Sequence, residues 1–154
     1  MKKKTITLVG VGVAGAALAL SGTSALAGQG DAATGGGQIL VGTEGGAGST
    51  IAFTAQAVGD AARGQVQYVD RSGEEQVVHH GTVGCIDVEG NTARISGEWR
   101  DGGTFGLYVE DNGNGDGTDI VALTPVNDTN CADDPEEENR TALARGNAQV
   151  RDRG

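Results

Sequence analysis

The sequence predicts an all-β domain, built as an antiparallel sandwich or a small closed barrel of about eight strands. Apolar and polar side chains alternate over most of the chain, which is the period of a half-buried strand. Turn residues that tolerate positive φ recur at hairpin spacing, and helical periodicity is scarce. The same alternation occurs in both architectures, so the sequence leaves the choice between sandwich and barrel open.

The alternation marks each strand in turn. A first strand is predicted around Ile39 and Val41, and a last one around Ala148 and Val150. Between them, the period of two predicts further strands over residues 51–57, 65–68, 77–88, 93–99, 105–109 and 120–123. The strongest turn signals are Asp70-Arg71-Ser72-Gly73, Glu89-Gly90-Asn91 and Asp101-Gly102-Gly103.

One segment is a candidate helix, over residues 135–144. Asp133 or Asp134 would cap it, and it would begin at Pro135 with acids in its first turn. The surrounding stretch 127–139 is unusually acidic. Carboxylates crowded on one segment repel each other, so a solvated acidic loop is the alternative to a helix.

The N-terminus, residues 1–27, is predicted to be a cleaved signal peptide. A positive start at Lys2-Lys3-Lys4 precedes an apolar stretch over 6–20, and Ala25-Leu26-Ala27 matches the A-x-A cleavage pattern before Gly28. The apolar stretch is about 15 residues long, short of the roughly 20 that cross a bilayer. An uncleaved N-terminal anchor is the competing interpretation. We therefore expect a secreted protein with no membrane span after cleavage.

Behind the signal peptide, residues 28–36 are predicted to be a flexible leader and residues 37–151 a single all-β domain. All the lysines lie in the signal peptide, so the remainder carries eight arginines against 21 acids, a formal charge of about −13. Such a surface repels nucleic acid and anionic membranes, and we exclude both as partners. We expect a monomer that meets an unknown extracellular ligand or surface component.

Cys85 and Cys131 are the only cysteines, and export would place them where disulfides persist. A bridge between them closes a loop of about 47 residues, worth roughly 4 kcal/mol on the chain-entropy account. In the predicted strand that contains Cys85, strict alternation would put Val83 and Cys85 on one face and Ile86 and Val88 on the other.

Four segments together resemble a group of small exported β-domains found in high-GC Gram-positive bacteria, to which the post-COAP-1 domain is similar. They are Gly35-Gly36-Gly37-Gln38-Ile39, the stretch 81–93, Val109-Glu110-Asp111-Asn112-Gly113 and Gly146-Asn147-Ala148-Gln149-Val150. The resemblance implies a stand-alone secreted domain of unassigned activity. It supports pairing Cys85 with Cys131 and supplies no catalytic residues.

The loop over residues 111–119 is the candidate metal site. It reproduces the first half of a calcium loop, with oxygen-bearing side chains at alternate positions before a glycine. Position twelve of that register is Leu123 instead of glutamate, so Asp111 and Asp119 would have to replace the missing ligand. The calcium ligands would be Asp111, Asn112, Asn114, Asp116 and Asp119. A glycine-rich hairpin turn with solvated acids is the alternative, and we predict no other cofactor.

His79 and His80 are the only histidines and, as neighbours in a strand, should face opposite ways. A hydrolase would need a nucleophile and an orienting acid beside one of them. The candidates are Ser72, Ser96, Asp70 and Asp87, in no recognisable spacing. Trp99, Tyr68 and Tyr108 would form a sugar-stacking platform if they shared an outer face, but the alternation favours Trp99 in the core.

The sequence therefore favours a secreted, non-catalytic β-domain that binds a ligand or belongs to the cell-surface matrix. A small secreted hydrolase that uses His79 or His80 is the first alternative. A calcium-dependent adhesion module built on the 111–119 loop is the second.

Overall fold

The computed structural model describes residues 30–40, 48–131 and 133–154. Its strands form one closed antiparallel barrel, in which each strand pairs with its neighbours along the chain and the last pairs with the first. The predicted all-β class is confirmed, and the barrel is the correct alternative. The signal peptide and Val41 lie outside the described residues. The strands are β1 (Ala32–Ile39), β2 (Ser49–Val58), β3 (Ala61–Asp70), β4 (Val77–Glu89), β5 (Thr92–Trp99), β6 (Thr104–Glu110), β7 (Ile120–Pro125) and β8 (Thr141–Arg151).

Strand β1 corrects the predicted leader. The chain is already in a strand from Ala32, so the prediction of a flexible leader over 28–36 is wrong from that residue onward. Ala33 is buried, and Gly35 lies directly across from Phe53 of β2. Gly35 leaves room for the Phe53 ring and Gly37 for the Leu143 side chain, and the sequence of this strand shows no apolar alternation.

Strand β8 corrects the predicted helix. The segment 135–144 holds only a 3₁₀ turn at Glu137–Asn139, after which β8 begins at Thr141. Leu143 is fully buried and pairs with Ile39 of β1. Pairing with β1 closes the barrel, and this long-range contact overrides the local helical signal.

A β-bulge corrects the predicted faces of β4. The register against β5 shifts between Val83 and Cys85, so one extra residue is inserted there. As a result Val83, Ile86 and Val88 all pack into the core. Cys85 lies on the outer face, opposite Ser96.

The interior of the barrel is filled by side chains. An eight-stranded barrel is just wide enough for that, and here large rings lie over glycines. An added Cβ at Gly35 would lie 2.8 Å from the Phe53 ring, and one at Gly97 would lie 2.8 Å from the Phe105 ring. A ligand site must therefore lie at an end of the barrel or on its outer face.

The described residues of the connection between β7 and β8, 126–131 and 133–140, are called the strap, which contacts the outer face of β5. The predicted disulfide between Cys85 and Cys131 is present and fastens it. The Ser96 hydroxyl donates to the Thr129 carbonyl (2.7 Å), and Arg94 Nε donates to Asp134 (2.6 Å). No helix of the described residues is long and apolar enough to cross a membrane.

Candidate functional site

One end of the barrel holds a cleft of about 380 Å³. The end of β3, the start of β4 and the β5–β6 turn meet there. We call this cleft the mouth and define it by its principal lining residues, Tyr68, His79, Trp99, Asp101, Thr104 and Phe105.

Four rings form a continuous ladder in the mouth. The ring centroids are 6.2 Å apart for Tyr68 and His79, 5.6 Å for His79 and Trp99, and 4.5 Å for Trp99 and Phe105. The register produces the ladder, because Tyr68 pairs with His79 and Trp99 pairs with Gly81. A Cβ at Gly81 would lie 2.9 Å from the Trp99 ring, so the absence of a side chain there makes room for the indole.

The β5–β6 turn brings a carboxylate to the histidine. His79 Nδ1 lies 2.8 Å from Asp101 Oδ2, and both side chains are partly open to solvent. Gly102 and Gly103 adopt φ of 105° and 86°, which lets the chain reverse immediately after Asp101. The hydrogen bond from His79 lowers the pKa of Asp101 below its ordinary value. Sequence reasoning treated Asp101 only as a turn residue and missed this pairing.

The predicted hydrolytic residues do not come together. No hydroxyl or thiol of the described residues hydrogen-bonds to His79. The amide of Ser72 donates to Asp70 (2.8 Å), and Ser96 is buried beneath the strap. His80, exposed, lies on the opposite face of β4 from His79, as alternation predicts.

Asp87, the other proposed orienting acid, pairs with Arg94 at 3.1 Å on the outer face.

Only two of the three aromatic candidates share a surface. Trp99 faces inward as predicted and, together with Tyr68, also lines the mouth. Tyr108 is buried beneath Arg140, whose guanidinium lies 4.6 Å from the ring centroid. Of the three aromatic candidates, only Trp99 and Tyr68 therefore line a common cleft, the mouth.

The candidate calcium loop lies at the other end of the barrel, beside β8. Strand β7 pairs with β8 through only two residue pairs, Ile120 with Ala142 and Val121 with Thr141. Beyond that point the loop lies next to β8, and we call this boundary the seam. Within the loop, the side chain of Asn112 donates to the Thr118 carbonyl (3.1 Å), and Asn114 is exposed.

Carboxylates of the loop complete the seam. Asp119, fully buried, accepts hydrogen bonds from the amides of Ala148 (2.6 Å) and Asn112 (2.9 Å). Asp111 accepts from the amide of Val150 (3.0 Å), and Asp116 from that of Gly146 (3.3 Å). These acids take the place of strand carbonyls that β7 is too short to supply.

This arrangement bears on the calcium prediction. No group of three or more histidine, cysteine or acidic side chains in the described part of the chain is placed to hold a metal ion. A calcium ion would have to compete with the β8 amides for Asp111, Asp116 and Asp119. Calcium binding remains a prediction.

No protein-family profile, curated protein or solved structure matches this chain.

Proposed function

We propose that the protein is exported as a non-catalytic binding domain and that the mouth is its ligand site. The signal-like segment 1–27 and the disulfide between Cys85 and Cys131 support export. The filled interior supports a site at the barrel end. Among the described residues no hydroxyl or thiol hydrogen-bonds to His79, which favours binding over nucleophilic catalysis.

The mouth suits a compact ligand that has one apolar ring face and several hydroxyl groups, such as a sugar ring. The observation that best supports this proposal is that the Trp99 ring lies beside the His79–Asp101 pair in an open cleft of about 380 Å³. An aromatic face covers the C–H face of a sugar, while a carboxylate accepts hydrogen bonds from its hydroxyls. Pockets of this kind combine apolar walls with a few placed polar groups.

Trp99 is the only tryptophan, so its fluorescence reports on the mouth directly. We would titrate the purified protein with a panel of neutral and N-acetylated mono- and disaccharides. We expect at least one to shift the emission saturably, and Asp101→Asn to weaken that ligand by about tenfold through loss of a charge-assisted hydrogen bond.

Glu98→Gln is the matched control, because Glu98 is an exposed acid on the same hairpin but outside the mouth. It should bind as the wild type does. The proposal fails if no saccharide perturbs Trp99, or if Glu98→Gln weakens binding as much as Asp101→Asn in variants that melt like the wild type.

A hydrolase remains the second candidate because His79 and Asp101 are paired at 2.8 Å. Wild-type protein would be assayed against chromogenic esters and glycosides, with His79→Ala and His80→Ala as variants. We expect no turnover above background. Turnover that His79→Ala abolishes and His80→Ala preserves would replace the binding proposal.

A further inference from the structure

The acids of this protein are unevenly distributed over the barrel. Strands β8, β1, β2 and β3 contain a single acid, Asp70 at the end of β3, in a chain that has 21 acids. The two acids of β4, Asp87 and Glu89, lie within the last three residues of that strand. These strands therefore carry almost no carboxylates of their own, and the loop acids Asp111, Asp116 and Asp119 lie at one border of this side, along β8.

Two contiguous clefts of about 420 and 410 Å³ cross this side and share Ala52 and Gln67. We call them together the furrow. Its floor is low because Gly36 pairs with Ala52 across β1 and β2, and Ala52 in turn pairs with Gln67 of β3. Small residues in adjacent strands leave a depression in the barrel wall.

The furrow is lined by neutral polar side chains and has a cation toward each end. Arg100 lines one cleft and Arg145 the other, and both are exposed. Neither guanidinium forms an ion pair with any described residue. Between them are amides, hydroxyls and one imidazole, from Thr34, Gln38, Thr50, Thr54, Gln65, Gln67 and His80.

We propose that the furrow binds a linear polysaccharide that carries carboxylate groups. Side-chain amides and hydroxyls both donate and accept hydrogen bonds, as sugar hydroxyls do. Arginine recognises carboxylates through paired, charge-assisted hydrogen bonds. A groove of neutral polar groups with an arginine toward each end fits an extended chain of sugars with periodic acids.

The same wall is poorly suited to other extended anions. The furrow residues contain two aromatic rings, Phe53, which is buried, and His80, so bases would find only a single imidazole to stack on. A peptide that adds a strand needs a free sheet edge, and the furrow crosses strands already paired on both sides. Repulsion from acids elsewhere on the surface is screened beyond about 8 Å at physiological salt.

The furrow is distinct from the mouth, although the two share a stretch of chain. His80 and Arg100 line the furrow, whereas their neighbours His79 and Asp101 line the mouth. Variants of one surface should therefore leave the other intact, and this proposal does not depend on the proposed function of the mouth.

The test is isothermal titration of the full chain with a short oligogalacturonate. A gluco-oligosaccharide of matched length and a polyglutamate peptide serve as comparison ligands. We expect the uronate to bind and polyglutamate not to bind. The neutral sugar should bind about tenfold more weakly than the uronate because it has no carboxylates for the arginines to contact.

Arg100→Ala/Arg145→Ala should weaken uronate binding by about tenfold or more. Arg63→Ala/Arg151→Ala is the matched control, since it removes the same charge from exposed strand positions outside the furrow, and it should change affinity by no more than about twofold. Ala52→Phe raises the exposed floor without changing charge and should abolish binding. Trp99→Phe should leave it unchanged.

Absence of uronate binding would overturn the proposal. Equal losses in the two arginine double variants, or polyglutamate binding as tightly as the uronate, would show a general charge effect instead. Loss of binding in Trp99→Phe would place the ligand in the mouth and would equally overturn the proposal.

Discussion

Glycines in the barrel wall determine where the rings of the mouth lie. Gly81 faces inward opposite Trp99, and an added Cβ there would lie 2.5 Å from Phe105 and 2.9 Å from Trp99. Gly84, three residues along the same strand, is exposed on the outer face. Its nearest neighbour, the Thr129 Cβ, would lie 3.6 Å from an added Cβ. Two glycines of one strand therefore have opposite tolerance for a methyl group.

Gly81→Ala should destabilise the protein by about 1–3 kcal/mol, since the Phe105 and Trp99 rings must leave their positions. Gly84→Ala, the control, should change stability by no more than about 0.5 kcal/mol. Urea unfolding followed by Trp99 emission measures both. Equal stability of the two variants would mean that the rings have room to move, which contradicts the packing described.

At the scale of elements, the seam beside β8 depends on buried acceptors. Asp119 is 1% exposed and accepts two backbone hydrogen bonds, whereas Asp116 is exposed and accepts one longer bond of 3.3 Å. An alanine at 119 would leave the buried amide of Ala148 and the partly buried amide of Asn112 without their acceptor. The exposed amide of Gly146, if it loses Asp116, can hydrogen-bond to water instead.

Asp119→Ala should therefore cost about 2–4 kcal/mol of unfolding free energy, and Asp116→Ala no more than about 1 kcal/mol. Denaturant unfolding of both variants checks this, and hydrogen exchange at Ala148 should speed up in Asp119→Ala alone. The seam would need another explanation if the two variants were equally stable.

The hydrogen bonds between the loop acids and the β8 amides lead to a testable expectation about calcium binding. Because the loop acids already satisfy β8 amides, we expect millimolar calcium to leave the melting temperature unchanged relative to EDTA. A calcium-dependent rise in Tm would favour the adhesion-module hypothesis. Loss of that rise in Asp119→Ala, Asp116→Ala and Asp111→Ala would assign the ion to this loop.

The β3–β4 turn makes stability depend on pH. Asp70 accepts hydrogen bonds from the Ser72 amide (2.8 Å) and the Ser49 hydroxyl (3.4 Å). The bond from the Ser72 amide is the main reason that the pKa of Asp70 lies below its ordinary value. Since the folded-state pKa is the lower one, this carboxylate stabilises the fold above the unfolded-state pKa, and the contribution is lost as pH falls through the folded-state pKa.

Asp70→Asn should accordingly melt at a lower temperature than the wild type near neutral pH. The difference should begin to shrink once the pH falls below about 4, where the unfolded-state carboxylate becomes protonated, and should vanish at lower pH as the folded-state carboxylate is protonated too. Thermal melts from pH 7 to pH 2 in both proteins measure it, and the other acids cancel in the comparison. A difference independent of pH would mean that the charge of Asp70 is not what stabilises the turn.

At the scale of the whole molecule, a small core is joined to an external strap. The described core contains many alanines and valines and few large rings, so burial contributes modestly for a domain of this length. The disulfide at Cys85 links β4 to the strap across a sequence separation of 46 residues. The Arg94 ion pairs and the Ser96 hydrogen bond lie against the same outer face.

Cys85→Ala/Cys131→Ala should lose roughly 4 kcal/mol, a large part of the stability typical of a domain. Wild-type protein in a reducing agent should show a comparable loss once both thiols are free by mass spectrometry. Arg94→Ala is the comparison for the strap contacts alone and should cost less. A reduced protein that unfolds at the same urea concentration as the oxidised one would contradict this account.

Much of the strand content could be predicted because apolar and polar side chains alternate along most of the strands. Residues 51–57, 93–99 and 105–109 lie within β2, β5 and β6. The disulfide was predictable because the chain has only two cysteines. The first strand was predicted only around Ile39 and Val41, and its start at Ala32 was missed because the glycines at 35–37 interrupt the apolar period.

The candidate sites were only partly predictable. His79 was recognised, but its partner Asp101 lies 22 residues away and was assigned to a turn. The acids of the 111–119 loop were recognised as oxygen ligands, while the β8 amides that they bind lie 29 to 39 residues further along for Asp119, Asp116 and Asp111.

Local sequence patterns are enough to predict an acidic, glycine-rich chain of alternating strands with one available disulfide. The closure of β1 on β8, the bulge that turns Cys85 outward and the carboxylates that complete the seam could be seen only in the folded protein. The reason is the sequence separation of the residues involved. Alternation is a property of neighbouring residues, whereas register, closure and the choice of hydrogen-bond acceptor depend on contacts between residues far apart in the chain.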